Sequence, residues 1–576
     1  MRFVPGESQR VFILTLIVGA ACGLAAVSFH LAISWAEELL IDRALKAPGI
    51  GWMWLGVLTP AMGGLFGGLL LAYLVPGARG SGIPQVKVAY AVKGGRIPLR
   101  DTVGKFVLSA LQIGSGGSLG REGPTVHICA GIAAALGRTF ALSQKNLKRL
   151  LPVGAAAGIA AAFNAPIAAV TFTIEEVVGD LDQTVLSGVI VAAAIAAAIE
   201  RGILGEHPVF TVTETFGLHY ASSIILYAVL GVLAGFVSLA FTESLLGVRM
   251  LFRRMTAVPV WAQPAVGGAL TGVLIVAAIY FLQTGGINGG GYDVLDSALS
   301  GKLAFKVMAA LCVMKLAATV FSYSSGGAGG IFAPSLFIGG MLGGVVGYFD
   351  ISLLGHPSSQ LGAFALVGMG AVFAGIVRAP ITSVLIIFEM TGSYGLILPL
   401  MIANMTSYAL ARRFRHTPIY EALLVQDDIF LPHPSRSTAH ALERLQVSQA
   451  MNTDPVVLRR DMTVREAAEF VQRYEFTTFP IVDAESNCVG SITEMRLRRN
   501  LVEKQAERSI AEIADECRSV QSDEPLATAV LLMHESRVRQ LAVTDHATDA
   551  KLAGIITMSD IVRVQAETMK SIHASK

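Results

Sequence analysis

Up to about residue 415 the chain is a succession of apolar stretches separated by short polar breaks; beyond it charged residues are frequent and apolar positions recur at the spacings of soluble helices and strands. Val11 to Trp35 and Trp52 to Val75 each exceed the roughly 20 residues needed to cross a bilayer, and further runs follow through Leu410. The first run is too long for a secretory signal and lacks a small-residue cleavage site, so it reads as a permanent membrane helix. Many other segments are shorter than a full span or are interrupted by Gly and Pro. Such interruptions strand backbone N–H and C=O groups, which at membrane depth is tolerated only where they are buried in protein or line a wet cavity. The pattern therefore predicts a transport pathway rather than a plain bundle.

Two halves repeat within the apolar region. Gly154 to Pro166 and Gly368 to Pro380 both span 12 residues, and Pro166 to Glu175 and Pro380 to Glu389 both span nine. Upstream, Ser115 to Pro124 (SGGSLGREGP) matches Ser325 to Pro334 (SGGAGGIFAP). Packing of small residues between helices would not require matched Pro and Glu positions, so two similar halves are the economical reading.

The polar tail carries a repeat of another kind. Thr463-Val-Arg-Glu466 is a capping box opening a helix with Val464, Ala467, Ala468 and Val471 on one side. Strands are predicted at Phe479 to Asp483 and ending at Gly490 to Thr493. The same order recurs after Asp523, with a helix through Met533 and strands at Gln540 to Asp545 and Gly554 to Thr557. Two tandem α/β modules result, joined to the apolar region through a proline-containing link, Leu431 to Ser437.

Composition agrees with the membrane assignment: of 576 residues 53% are hydrophobic and 15% charged, and the mean hydropathy is +0.60. The net charge of +2 selects no partner, and no nucleic-acid surface is indicated. Five cysteines, Cys22, Cys129, Cys312, Cys488 and Cys517, lack ligand spacing, so neither a disulfide framework nor a metal site is expected. Arg2 and Arg10 precede the first run, and Arg412, Arg413 and Arg415 follow the last. Both termini are therefore expected in the cytosol.

Gly-x-x-x-Pro occurs three times at junctions between apolar segments: Gly80-Ser-Gly-Ile-Pro84, Gly120-Arg-Glu-Gly-Pro124 and Gly330-Ile-Phe-Ala-Pro334. The glycines around residue 120 form no phosphate cradle, because no Lys-Ser or Lys-Thr follows. Proline suits a helix's first turn and glycine the bend before it, so each motif predicts a helix N-terminus. Several such termini converging in a membrane would hold an anion without a full cation. Glu122 could occupy that site when ionised and leave it when protonated; a carboxylate stabilised by the helix dipole is the simpler reading. Glu175 and Glu176 close an apolar helix, where an ionised acid costs roughly 2.5–3.5 kcal/mol, which points to a proton or ion path unless both lie at the interface. Glu389 takes Glu175's place in the repeat and is expected to satisfy backbone donors in the second half. Tyr420 reads by composition as an interfacial aromatic. The apolar segments hold no His pair, Ser/Lys pair or metal-ligand set, so an enzyme is not indicated.

At these residues the sequence resembles the CLC family of chloride channels and chloride/proton antiporters, from about residue 10 to 425, with GSGIP, GREGP and GGIFAP intact and in order. The resemblance implies an all-α polytopic membrane domain of two inverted repeats with broken helices, assembled as a homodimer with one pathway per subunit. It implies chloride ligation by Ser81 and Tyr420 hydroxyls and by Ile331 and Phe332 backbone N–H groups. Glu122 is similar to the external gating glutamate and Glu176 to the internal proton-transfer glutamate of the antiporters. Ser81 in place of proline resembles the chloride-preferring type, and the intact GREGP speaks against the fluoride branch. The tail resembles a cytosolic pair of CBS domains, which often hold an adenine nucleotide. Thr557 and Asp560 match a ribose-binding pattern in the second module, whereas the first departs from it with Thr493 and Arg496. The expected organisation is a transport domain at 1–425, a linker at 426–445, and modules at 446–503 and 507–568. Expected in a cell membrane, the protein would exchange chloride for protons without a required cofactor. A passive chloride channel on the same fold is the alternative, and a membrane-anchored nucleotide sensor a reading from another class.

Overall fold

The computed structural model describes residues 7–564 apart from 180–182, 206–219, 221, 359, 430, 432–444, 475, 504, 537, 539 and 546–547. The predicted link at 431–437 thus lies almost wholly outside the described residues. The chain divides into two compact units, Met1–Leu431 and Pro432–Lys576.

The first unit is helical. Nine of its described helices are long and apolar enough to span a membrane, beginning with Gln9–Leu45 and Gly51–Tyr73, so the protein is a multi-pass membrane protein. Between them lie the interrupted segments that the Gly and Pro pattern predicts. Gln144–Phe163 ends at Asn164 in the left-handed conformation (φ 53°), after which Pro166–Phe172 starts a new short helix. The second half repeats the device: Gln360–Val377 breaks at Arg378 (φ 70°) before Pro380–Thr391. In each half the break precedes the proline by two residues, because proline disfavours helical geometry in the residue before it and suits the first turn after it.

The short helices expose backbone donors at their starts, and the halves satisfy each other. Glu175 accepts from the N–H groups of Ile381 (3.2 Å) and Thr382 (2.8 Å), at the start of Pro380–Thr391. Glu389 accepts from Ile167 (3.0 Å) and Ala168 (2.6 Å), at the start of Pro166–Phe172. Glu389 was expected to serve donors of its own half; the exchange is instead reciprocal, because the two short helices pack against each other. Dense packing depends on glycine. A Cβ on Gly368 would lie 2.2 Å from the Gly339 carbonyl oxygen, so Phe332–Leu354 and Gln360–Val377 meet backbone to backbone, and every residue of the latter is buried.

The second unit contains two three-stranded sheets, β1 (Leu458–Arg459), β2 (Thr478–Val482) and β3 (Cys488–Thr493), then β4 (Ser519–Gln521), β5 (Gln540–Asp545) and β6 (Thr548–Thr557). In each, the first strand runs parallel and the third antiparallel to the middle one. The predicted box forms: Thr463 accepts from Glu466 N–H (3.3 Å) and Glu466 from Thr463 N–H (2.9 Å), opening Val464–Val471 over a core that includes Leu458, Phe479, Ile481 and Ile492. The short first strands carry too few residues to show a period of two.

The cysteine expectation needs correction. Ser491 and Asp515 exchange backbone hydrogen bonds of 2.9 and 2.8 Å, which aligns two antiparallel segments and brings Cys488 and Cys517 to a Cα–Cα distance of 6.3 Å, where they form a disulfide. Pairing of residues 29 apart follows from strand register and leaves no mark in cysteine spacing.

Replacing Glu389 by Ala should lower the stability of the membrane domain by about 1–2 kcal/mol, as loss of a helix cap does, with Glu175→Ala similar. Thermal unfolding of detergent-solubilised protein tests this; an unchanged midpoint for both variants would show that these caps do not hold the halves together.

Candidate functional site

The three Gly-x-x-x-Pro motifs start the helices Ile83–Ala91, Glu122–Thr139 and Phe332–Leu354, with proline in the first turn each time. Equivalent residues of the two halves meet there. Gly120 and Gly330 exchange backbone hydrogen bonds, each N–H donating to the other's carbonyl at 2.7 Å. A Cβ on Gly123 would lie 2.5 Å from the Ser81 carbonyl oxygen, and one on Gly82, whose φ is 100°, would lie 2.8 Å from that of Gly123. All three helix starts therefore converge on one buried point, as the anion-site expectation requires.

Glu122 is 1% exposed and folds back into this point. Its Oε2 accepts from the Ala333 N–H at 3.3 Å, in the first turn of Phe332–Leu354, and its Oε1 accepts from the Tyr292 hydroxyl at 2.6 Å. The neighbouring Arg121 turns the other way, donating to His30 Nδ1 and, at 3.5 Å, to the Ala162 carbonyl. Ile331 caps the helix that Phe332 begins. The Phe332 ring packs on Phe373, Phe163 and Phe172, with centroids at 4.1, 4.7 and 5.9 Å, which pins the backbone at the helix start.

Ser81 is fully buried and its Oγ accepts from the Ile83 N–H at 3.3 Å. Tyr420 is the principal departure from the compositional reading: it is no interfacial aromatic but fully buried, and its hydroxyl has no hydrogen-bond partner among the described residues. It lies within electrostatic reach of Glu122, Glu176 and Tyr323. An unpaired buried hydroxyl costs free energy unless something else supplies its partner.

Glu175 and Glu176 diverge as adjacent helical residues must. Glu175 caps the second half, whereas Glu176, 5% exposed, accepts from Lys87 Nζ at 2.7 Å. Lys87 also reaches Glu421 at 3.5 Å, and this third member is partly open to solvent. Beside the Gly80 turn a cavity of about 260 Å³ is lined by Arg79, Lys93, Arg249, Arg253 and Asp427 among others. Among the described residues its lining has one carboxylate, Asp427, shared by Arg249 (2.8 Å) and Arg253 (2.6 Å), so this lining keeps an excess of positive charge that favours anions.

Lys87, Lys105, Lys315, Tyr292 and Ala333 escape motif reading. Lys105 donates to the Ala78 and Gly80 carbonyls, both at 2.6 Å, beside Ser81, and Lys315 donates to four carbonyls of residues 286–289 at 2.7–3.2 Å. A signal for the last two was present: each stands ten residues before the serine of its Ser-Gly-Gly, Ser115 or Ser325. A lysine inside an apolar segment is itself a mark of function or of a buried partner. Tyr292 and Ala333 carry no such signal.

In the tail, Thr557 donates its hydroxyl (2.6 Å) and its N–H (3.0 Å) to Asp560 Oδ2. They border a cavity of about 770 Å³ with Asn452, Thr478 and Gln540 also in its wall. At the corresponding place in the first module, Thr493 caps a helix and Arg496 pairs with Asp515.

Broken helices meeting at a buried anion-complementary point in a multi-pass domain define a membrane transport protein. Residues 63–412 match the family described as voltage gated chloride channel, and residues 447–503 and 510–567 each match a CBS domain. The chain belongs to the voltage gated chloride channel family and carries a tandem CBS pair. Among solved structures it is similar to a slow cyanobacterial Cl-/H+ antiporter at 27% identity and TM-score 0.66, covering 75% of this chain and 100% of that one. It shares its fold with a eukaryotic CLC transporter (20% identity, TM-score 0.62, covering 96% and 98%) and with a CLC-type fluoride/proton antiporter (24%, 0.59, 72% and 97%).

Removing one partner of the buried Lys87–Glu176 pair strands the other charge, at a cost of about 3–5 kcal/mol, whereas neutralising both is close to neutral. Lys87→Met should therefore destabilise strongly and Lys87→Met/Glu176→Gln should recover most of the loss. Unfolding midpoints across the four-protein cycle measure it, and additive effects would mean that the two charges do not interact.

Proposed function

We propose that this protein is a secondary-active chloride/proton antiporter of the cell membrane. One observation carries the reading: two buried carboxylates, Glu122 and Glu176, lie within electrostatic reach of the Tyr420 hydroxyl, which has no hydrogen-bond partner among the described residues. Chloride would bind between Ser81, Tyr420 and the N–H groups of Ile331 and Phe332. Ionised, Glu122 competes for the anion-complementary helix starts; protonated, it loses the charge that holds it and vacates them. Glu176 exchanges protons with the cytosol through the partly exposed Lys87–Glu421 side. The similarity to a structure described as a Cl-/H+ antiporter agrees with this assignment.

A passive chloride channel is the second reading, and the 2.7 Å ion pair favours it: a glutamate neutralised by Lys87 can be a structural acid. In either case we assign transport to residues 1–425, with 426–445 a linker, place both termini in the cytosol and expect a homodimer with one pathway per subunit. The modules, assigned to 446–503 and 507–568, would bind an adenine nucleotide in the second, where Asp560 exchanges its Thr557 hydrogen bonds for the ribose hydroxyls.

Protein reconstituted in liposomes, with a chloride gradient imposed and the voltage held near zero by potassium and valinomycin, separates the two. Chloride-driven proton movement against the proton gradient is expected; chloride flux without it would establish the channel. Glu122→Gln and Glu176→Gln should each abolish proton coupling while anion flux persists, and retained coupling in Glu176→Gln would remove that residue from the mechanism. For the tail, Asp560→Ala in the full-length chain should weaken ATP binding at least about tenfold, the scale of a lost charge-assisted hydrogen bond. Equal affinity of variant and wild type would place the nucleotide elsewhere.

A further inference from the structure

The helix Tyr292–Leu299 is entered through a glycine-rich loop in which Gln283, Gly286, Gly289 and Gly291 have φ of 52, 92, 50 and 78°. Backbone so bent cannot pair its own carbonyls, and the buried Lys315 ammonium gathers four of them, from Gly286 (2.9 Å), Ile287 (3.0 Å), Asn288 (3.2 Å) and Gly289 (2.7 Å). Gly291 closes the loop where a Cβ would stand 2.6 Å from the Gly286 carbonyl oxygen and 2.7 Å from the Phe337 ring. The loop is thus locked from both sides. What it presents is Tyr292, whose hydroxyl meets Glu122 Oε1 at 2.6 Å.

Each Glu122 oxygen therefore has its own donor: a backbone N–H of the anion-complementary helix start on one, a side-chain hydroxyl on the other. Only the second can be removed without moving the chain. A phenol donating to an ionised carboxylate makes a short, charge-assisted bond, and it loses the charged acceptor once that carboxylate takes a proton. We propose that Tyr292 is a positioning residue that latches ionised Glu122 in the pathway and so sets the external proton concentration at which the pathway opens. This deepens the reading of Glu122 as the gate and rests on it. Among the described residues, Arg121, whose guanidinium lies 6.0 Å over the Tyr292 ring, Lys315, itself within electrostatic reach of Glu37, and Tyr420 are the other charged or titratable groups around the carboxylate. Tyr292→Phe leaves all of them in place and keeps the ring that fills the space.

The test is chloride efflux from liposomes containing the full-length protein, at clamped voltage, across a series of external pH values. Tyr292→Phe should raise turnover at neutral pH and move the activation curve to higher pH by about one unit, a roughly tenfold drop in the protons required. In a Glu122→Gln background, where no carboxylate remains to be latched, the same substitution should leave efflux unchanged to within about twofold, a few tenths of a kcal/mol. A Tyr292→Phe curve superimposed on that of the wild type would overturn the latch alone, as would an equal effect in the Glu122→Gln background. Wild-type protein that passes no chloride would overturn the functional reading and the latch with it.

Discussion

The reciprocal hydrogen bond between Gly120 and Gly330 is the constraint on which the site depends. It joins equivalent residues of the two halves, two residues before each begins a helix, and so fixes two positive helix ends side by side. A side chain would crowd it: a Cβ on Gly330 would lie 3.0 Å from the Gly120 carbonyl oxygen and 3.1 Å from the Gly123 nitrogen, so the backbones would have to shift apart by a few tenths of an ångström. With the backbones locked, Glu122 of one half is delivered to the Ala333 N–H of the other, and the third start, at Ser81, closes against Gly123.

Glycine-rich breaks that allow this approach also leave carbonyls pointing into protein, where each must find a donor. Buried lysines supply it. Lys105 holds the turn before Ser81 and Lys315 the loop before Tyr292, each ammonium donating its hydrogen bonds to backbone oxygens. These cations lend the site positive potential while their protons are spent on geometry. Lys87 works differently, because its partners are Glu176 and Glu421, and it brings Glu176 into a charge network instead of a backbone cage.

The halves are tied again where Glu175 and Glu389 cap each other's short helices. The exchange explains why two adjacent glutamates can have unlike fates: neighbouring residues of the π-helical turn Thr173–Val178 face different directions, so Glu175 reaches the opposing half while Glu176 reaches Lys87. Each interrupted helix thus receives at its start a carboxylate from the other half.

Much of this was legible in the chain. Apolar runs, matched Gly, Pro and Glu spacings and the three Gly-x-x-x-Pro motifs determined a two-half membrane domain with helix starts at Ile83, Glu122 and Phe332, because steric limits on glycine and proline act within a few residues. The capping box at Thr463 and the strand patterns determined the tail modules for the same local reason. What tertiary structure alone decided involves partners far apart in sequence: Glu389 serving the first half, Tyr420 buried, Lys87 on Glu176, Tyr292 on Glu122 and Cys488 on Cys517. Local sequence fixes where backbone donors and acceptors are left without partners; which distant side chain meets them depends on how the helices and strands pack, and that is set by the whole fold at once.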